Sequence, residues 1–514
     1  MSMQLSRKDF LKAAAATTLG SLAPSRAGAA PQPGAARANQ SAVSTKARTR
    51  SGTKGVTQDV VSFIADANID GFPADVVHQA KRCLIDGFGV VLAGATLRGS
   101  VIVGDHVRKS GAAAEATLFG TKPTKSSVEL AALVNGASGH AMDFDDTQLS
   151  TTPDRTFGLL THPTVPALAA ALAVSESLGA TGKEFLQAFL VGFEVECKIA
   201  EAISPDHYNN GFHSTGTLGT FGAAAAAARL LKQPPAVIAH TMAIAASLAA
   251  GIRVNFGSMT KPLHAGRAAQ NGVFAASIAA SGFTGGADAL DGEWGFFAVF
   301  GGGADAARIS GALGHPFAIV NPGVSVKPYP CGSLSHPSMD AMLKLLVDHD
   351  IRPEQIRRIR VRAGSNILEP LRYKTARTEL EAKFCLPFLM TALVLRRRAG
   401  IREFTDEFVA SAAVQEMMPR VETQFDPAIE ARGFDKMRSV IEVYLTDGRS
   451  FEQASDERYR GGPERPFTRA ELHEKFADCA SLILPGDRIA HALELIESTE
   501  RLPSVRPLVE ALSA

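Results

Sequence analysis

Cysteine is scarce: Cys83, Cys197, Cys331, Cys385 and Cys479 are the only five in 514 residues, and no two form a Cys-x-x-Cys pair. Thiols spaced this widely do not match the ligand patterns of zinc or iron–sulfur sites and read as buried apolar side chains. Tryptophan is almost missing, with Trp294 alone, and aromatic residues make up 7% of the chain. The core is therefore aliphatic and rich in alanine and glycine, which suits closely packed helices better than a β-sandwich. Charge of one sign is lacking as well. A net charge of +1 gives no overall field toward nucleic acid or an anionic membrane. Neither a G-x-G-x-x-G following a strand nor a Walker A motif is found, so a nucleotide is not indicated. The chain shows no internal repeat.

What is present is a globular composition, with 46% hydrophobic and 20% charged residues. The length is too great for one ordinary core and predicts two domains. Residues 1–29 form a segment apart. Ser6-Arg7-Lys8-Asp9-Phe10-Leu11-Lys12 precedes a weakly apolar run from Ala13 to Leu22 and the small-residue stretch Ala27-Gly28-Ala29. Basic start, apolar middle and small-residue end predict an export signal. It resembles a twin-arginine signal with Lys8 in place of the second Arg, and implies a periplasmic protein. The alternative is a cytoplasmic tail. The apolar run is too short for a membrane anchor. Residues 30–56 carry Arg37, Lys46, Arg48, Arg50 and Lys54 without acids, and read as a flexible linker.

Residues 57–321 are overwhelmingly helical in pattern. Apolar periodicity predicts helices over Asp59–Asn68, Asp75–Leu92, Glu129–Met142, Pro166–Leu178, Gly182–Ile203, Gly219–Leu231, Pro235–Ala250, Ala265–Ser281 and Ala287–Leu290. Several are apolar all round, as inner helices are. After Asn321 the texture changes. Ile359-Arg360-Val361-Arg362 alternates like a half-buried strand, and Asp447-Gly448 between Ser439–Leu445 and Ser450–Gln453 signals a hairpin. Helices are expected over Ser338–Asp348 and Glu381–Leu395. Residues 322–456 thus read as a smaller α+β domain. Residues 457–514 read as a helical return to the first domain, with Tyr459–Phe467 as the crossing loop.

Five stretches carry polar residues that helix packing does not require. His140-Ala141-Met142-Asp143-Phe144-Asp145-Asp146-Thr147 places three carboxylates within four residues. They form a solvated helix end, a metal-binding acidic loop or, because like charges raise one another's pKa, a poised base. An EF-hand is not indicated, since its spacing and downstream Glu are missing. Leu160-Thr161-His162-Pro163 holds a His in extended backbone. Asn210 to Gly222 sets His213 in a Gly/Ser/Thr-rich loop that opens a helix. Such a loop offers free backbone N–H groups to a carboxylate, or caps and packs the helix. Lys261, His264 and Arg267 fall three apart beside Pro262, which describes an anion pocket or a solvated basic face. Lys327-Pro328-Tyr329-Pro330-Cys331-Gly332 with His336 lies at the proposed domain junction, as either a rigid connector or a site-lining loop.

In this order the stretches resemble the motif set of the MmgE/PrpD family. Asn135-Gly136 through Asp143-Phe144-Asp145-Asp146-Thr147, Thr161-His162-Pro163, Gly211-Phe212-His213, Lys261-Pro262-Leu263-His264-Ala265-Gly266, Lys327-Pro328-Tyr329-Pro330-Cys331 and Glu381-Ala382-Lys383-Phe384 each match. The resemblance implies a mainly α fold: a large multihelical domain with an inserted smaller α+β lid domain, in a homodimer with the active site between the two domains. It implies a lyase acting on a small di- or tricarboxylic acid without metal or organic cofactor. The leading expectation is a 2-methylcitrate dehydratase-like activity, with cis-aconitate-type decarboxylation or dicarboxylate epimerisation as alternatives. A non-catalytic periplasmic carboxylate-binding protein and a metal-dependent hydratase are further alternatives. The family's functional positions fall on Asp143, Thr147, His162, His213 and Lys261, with His264 nearby. One departure is Gly332, where cis-aconitate decarboxylases of this pattern carry a His; the nearest here is His336. The roles implied are Lys261 and the Gly-rich loop stabilising an enediolate, His213 or Asp143 as base, and His162 as general acid. Thr147, His264, Arg267, Tyr329 and His336 would bind substrate.

Overall fold

The computed structural model describes residues 55–152 and 160–513. The expected export signal therefore lies outside the described residues, as does the expected linker save its last two positions.

Among the described residues of the first part, nine helices of eleven residues or more follow in chain order: α1 (Val56–Asp66), α2 (Ala74–Gly94), α3 (Arg98–Arg108), α4 (Val128–Ala141), α5 (Thr164–Leu178), α6 (Gly182–Ile203), α7 (Ser214–Leu230), α8 (Pro235–Leu248) and α9 (Thr260–Ala280). The fold is mainly α. α7 sits in the middle, packed by α5, α6, α8 and α9, while α9 also lies along α4. Alanines along α7 and α9 let these backbones approach. At the α4–α9 crossing a Cβ on Gly266 would stand 2.3 Å from the Leu133 carbonyl, so only glycine fits. α6 starts with a capping box in which Thr181 and Glu184 satisfy each other's backbone N–H groups.

α7 begins at Ser214, five residues before the expected Gly219. Residues 210–213 stay outside it, with His213 at the N-cap, but the Gly/Ser/Thr-rich residues from Ser214 onward are the helix itself. Its glycines serve close packing: a Cβ on Gly219 would meet Pro166 at 2.7 Å. The expected helix at Ala287–Leu290 is a turn, too short and too glycine-flanked to propagate. α3 and the small hairpin of β1 (Ala116–Leu118) and β2 (Thr124–Ser126) were not expected, because their mixed polar sequences lack a clear period. No single helix among the described residues is long and apolar enough to cross a membrane.

The second part holds β3 (Ile356–Ala363), β4 (Val421–Phe425), β5 (Ser439–Leu445) and β6 (Ser450–Ala454) in the order β4-β3-β5-β6. β3 runs parallel to β4 and antiparallel to β5. The alternation read in the sequence is physical: Ile359, Val361 and Ala363 are buried, while Arg360 and Arg362 reach Glu442 on the other face. Helices α10 (His336–Asp348) and α11 (Leu386–Arg396) pack beside the sheet. After Tyr459 the chain returns through α12 (Arg469–Ala480), which packs on α2, and α13 (Gly486–Glu497). Phe467, Leu472, Phe476 and Leu508 share one apolar cluster with α2, α5 and α6, whereas the sheet has its own.

Candidate active site

α4 ends at Ala141, and the chain then turns through Asp143 at φ +54°, a left-handed conformation that Asp tolerates better than most residues. The turn delivers Asp143-Phe144-Asp145-Asp146 into the protein interior rather than to solvent. Thr147 and Ser325 then exchange two backbone hydrogen bonds of 2.9 Å, which brings Lys327 alongside Asp143. Gln148 pairs with Thr161, so His162 returns next to Thr147. Phe212 bridges Ile252, and the Arg253 N–H donates to the Gly211 carbonyl at 2.9 Å, which carries Arg253 and Phe256 beside His213. Lys261 comes from the first turn of α9.

These segments enclose a cavity of about 200 Å³. Its helical side presents Asp143, Thr147, His162, His213, Arg253 and Lys261; its other side presents Lys327, Ser333, Leu371, Arg372 and Phe384. One oxygen of Asp143 receives Lys261 Nζ at 2.8 Å and Lys327 Nζ at 2.5 Å, and Lys327 also donates to the Asp143 carbonyl at 2.9 Å. Burial pushes the Asp143 carboxyl up, but Lys261 and Lys327 more than reverse it and hold it well below the usual carboxylate range. Burial likewise lowers Lys261, against the pull of Asp143. Lys261 also lies 5.1 Å from the centre of the Phe256 ring and 5.3 Å from that of Phe384. Among the described residues, four cationic side chains on the lining, Lys261, Lys327, Arg253 and Arg372, face two carboxylates, Asp143 and Glu369, an excess of two positive charges.

The imidazoles form a cluster. His140 meets His162 edge-on at 4.7 Å and stacks on His213 at 5.4 Å, and His213 meets His264 at 5.2 Å between ring centres. His140 Nδ1 donates to Asp145 at 2.8 Å, and His162 Nδ1 donates to the Asp146 carbonyl at 2.9 Å. Burial lowers His162 and His213 well below the usual histidine range, and lowers His264 to about 4. His140 donates to Asp145 and His162 Nδ1 lies 3.4 Å from it, so despite burial the two imidazoles hold its carboxyl below the ordinary range. Among the described residues no cation stands out beside Asp146; burial and Asp86 push it up to about 7 while Thr164 donates to it at 2.6 Å.

Of the residues singled out in the sequence, Asp143, Thr147, His162, His213 and Lys261 meet on this cavity. His264 stands behind His213 instead, with 3.0 Å between the two Nδ1 atoms. Three expectations need correction. Arg267 is exposed and donates to Gln270, because each three-residue step on a helix falls about 60° short of a full turn and two steps carry it off the Lys261 face. Tyr329 is buried away from the cavity, its hydroxyl donating to Asp340 at 2.6 Å. His336 is also outside the lining, held between Tyr459 and Cys331. Both belong to the packing of a proline-rich connector. The sequence assigns no role to Lys327, although it opens the stretch 327–332. It assigns none to Arg253 or Arg372, which no local pattern marks.

His140, Asp145 and His162 bring ligand-type atoms within 4.8 Å of one another, and among the described residues they are the group that could hold a metal ion. A dication there would have to displace the His140–Asp145 hydrogen bond and stand in the field of Lys327, which already acts on Asp145. The donor set is better explained as an ion-pair network.

Two family profiles match the chain: MmgE/PrpD N-terminal domain over residues 58–309 and MmgE/PrpD C-terminal domain over residues 329–501. A cis-aconitate decarboxylase of Homo sapiens is 27% identical over 469 residues, spanning 89% of this chain and 95% of its own length. A cis-aconitate decarboxylase of Mus musculus is 26% identical over 471 residues, spanning 89% and 93%. One from Aspergillus terreus (strain NIH 2624 / FGSC A1156) is 23% identical over 492 residues, spanning 89% and 96%.

Proposed function

This chain belongs to the MmgE/PrpD family, and from that premise we propose that it is a lyase that decarboxylates cis-aconitate or a closely similar unsaturated tricarboxylate. The relatives named above support decarboxylation over the 2-methylcitrate dehydration expected from the sequence. The observation that carries the reading is the pair of buried lysines on Asp143 in the lining of a cavity with surplus positive charge among its described residues. It supplies fixed cations for a polyanion and for the charge that decarboxylation creates.

The chemistry follows from the substrate's bonds. Arg253 and Arg372 sit on the lining where two carboxylates of a tricarboxylate can be held. The third, on the CH₂ arm, then lies toward Phe256, Leu371 and Phe384 and is the one that leaves as CO₂. The electron pair of the breaking C–C bond shifts through the double bond to the carbon beside the far carboxylate. The resulting enediolate is stabilised by Lys261 and Lys327, whose positions are set beforehand by Asp143. One proton on that carbon completes methylenesuccinate. Overall, a trianion and one proton become a dianion and CO₂.

Geometry favours His213 as the proton donor. His162 spends its Nδ1–H on the Asp146 carbonyl, so as a neutral ring it offers a bare Nε2 and serves as an acceptor rather than the expected general acid. Asp143, pinned by two lysines and far below the usual range, serves as an electrostatic anchor rather than a base. A non-catalytic binding protein would need neither the buried Asp143–lysine triad nor the imidazole cluster.

The test is proton NMR of the full chain in D₂O with cis-aconitate, 2-methylcitrate, citrate and an amino dicarboxylate. The expected outcome is equal amounts of CO₂ and methylenesuccinate carrying one deuterium next to a carboxylate. Water loss from 2-methylcitrate without CO₂ would restore the dehydratase reading. Deuterium exchange without net change would indicate an epimerase.

A further inference from the structure

His264 is expected from the sequence to bind substrate, yet it is absent from the cavity lining and its Nδ1 lies 3.0 Å from His213 Nδ1. Two ring nitrogens at this distance have room for one proton between them. The geometry is enforced from several sides. The His213 backbone N–H donates to the Gly251 carbonyl at 3.0 Å, and its ring is stacked on His140 and met edge-on by Phe256 at 5.0 Å. His264 fits because Gly251 has no side chain; a Cβ there would stand 3.3 Å from its ring. The Nε2 of His213 is buried without a partner among the described residues. His264 keeps 9% exposure against 3% for His213, so it is the more open ring of the pair.

We propose that His213 and His264 form a shared-proton imidazole pair that stores the proton delivered in each turnover, with His264 as a positioning residue acting through His213. The inference rests on the decarboxylase reading for its direction, but not for the existence of the pair. In the empty site both rings are neutral, because burial and the facing groups Lys261, His140 and His162 disfavour a further charge. A bound tricarboxylate trianion reverses that balance, and the pair takes one proton from solvent. His264 then carries Nδ1–H and donates it to His213 Nδ1, while His213 holds Nε2–H. When the enediolate takes the His213 Nε2 proton, the Nδ1 proton passes from His264 to His213, and the pair returns to neutral. A lone neutral imidazole in place of the pair would be a far weaker acid. His264 thus makes His213 competent without touching substrate.

The test uses the full chain and two kinds of readout. Tricarballylate, an unreactive saturated tricarboxylate, is titrated calorimetrically in two buffers of different ionisation enthalpy. Uptake of about one proton per bound ligand is expected in the wild type, and a drop to well under half in His264→Phe. Absence of uptake in the wild type would overturn the pair. In turnover, His264→Phe and His264→Ala are both expected to lose about 10²-fold in kcat with KM changed by less than about threefold. Added imidazole should restore His264→Ala, which has a ring-sized void, and leave His264→Phe unchanged. Loss of activity that imidazole restores in neither variant contradicts the pair, as does full activity in His264→Phe. If the wild type releases no CO₂ from cis-aconitate, the substrate reading falls, and the calorimetric arm still decides the pair.

Discussion

Asp143 and Asp146 stand three residues apart in one acidic run, both fully enclosed, yet their carboxyls are driven in opposite directions. Asp143 meets Lys261 and Lys327 and is held well below the usual range; Asp146 meets a threonine hydroxyl, with Asp86 and Asp145 adding negative charge, and rises to about 7. Burial is common to both. The partner decides the outcome, and it decides the job: Asp143 organises charge at the cavity, while Asp146 caps the start of α5 through Thr164 and offers its backbone carbonyl to His162. A run of three acids is therefore not one functional unit.

The comparison can be broken most severely at the lysines. Lys327→Met leaves Asp143 with one cation and removes an enediolate donor, and is expected to lower kcat/KM for CO₂ release by about 10²–10³-fold; steady-state CO₂ measurement checks it. Next in size is Asp145→Asn, which removes the negative charge and one of the two acceptor oxygens that orient His140 and lie beside His162. A loss of about 10²-fold in kcat is expected, with little change in KM, because the imidazoles are misoriented while the cations remain.

The acidic motif was legible in the sequence as chemistry, but its division of labour was not. Asp143, His162, His213 and Lys261 carry local signals: an acidic run at the end of an apolar helix for Asp143, and a polar residue near a Gly or Pro at the start of an apolar helix for the others. Lys327 and Arg372 reach the cavity only through tertiary pairing, the Thr147–Ser325 bridge in one case and the approach of the 369–374 segment to Phe256 in the other. No window of sequence contains both partners of such a contact. The fold was read from the same kind of evidence. Long apolar helices such as α6 and the Asp447-Gly448 hairpin announced themselves, whereas β4, short and half exposed, gained its identity from lying beside β3. The Gly-rich run after Gly211 was ambiguous for a physical reason: glycine serves loops and helix crossings equally well, and here Gly219 serves a crossing.

Smaller effects sharpen the contrast. Asp146 keeps its proton in the folded chain up to about pH 7, but loses it near pH 4 when unfolded. Its contribution is thus full below pH 4 and is lost as pH rises to about 7, a decline on the order of a few kcal/mol. Asp146→Asn removes that decline, so its denaturation midpoint relative to wild type should rise between pH 5 and pH 7. The smallest effect is Arg267→Ala. With its guanidinium exposed and directed to Gln270, KM for the tricarboxylate should stay within about twofold of wild type.

The most direct measurement is kcat/KM for CO₂ release from cis-aconitate by Asp143→Asn and Asp146→Asn side by side at pH 7. The account predicts a loss of about 10²–10³-fold for Asp143→Asn, since Lys261 and Lys327 then lack their anchor, and a change of less than about threefold for Asp146→Asn. Equal losses, or a greater loss in Asp146→Asn, would contradict it.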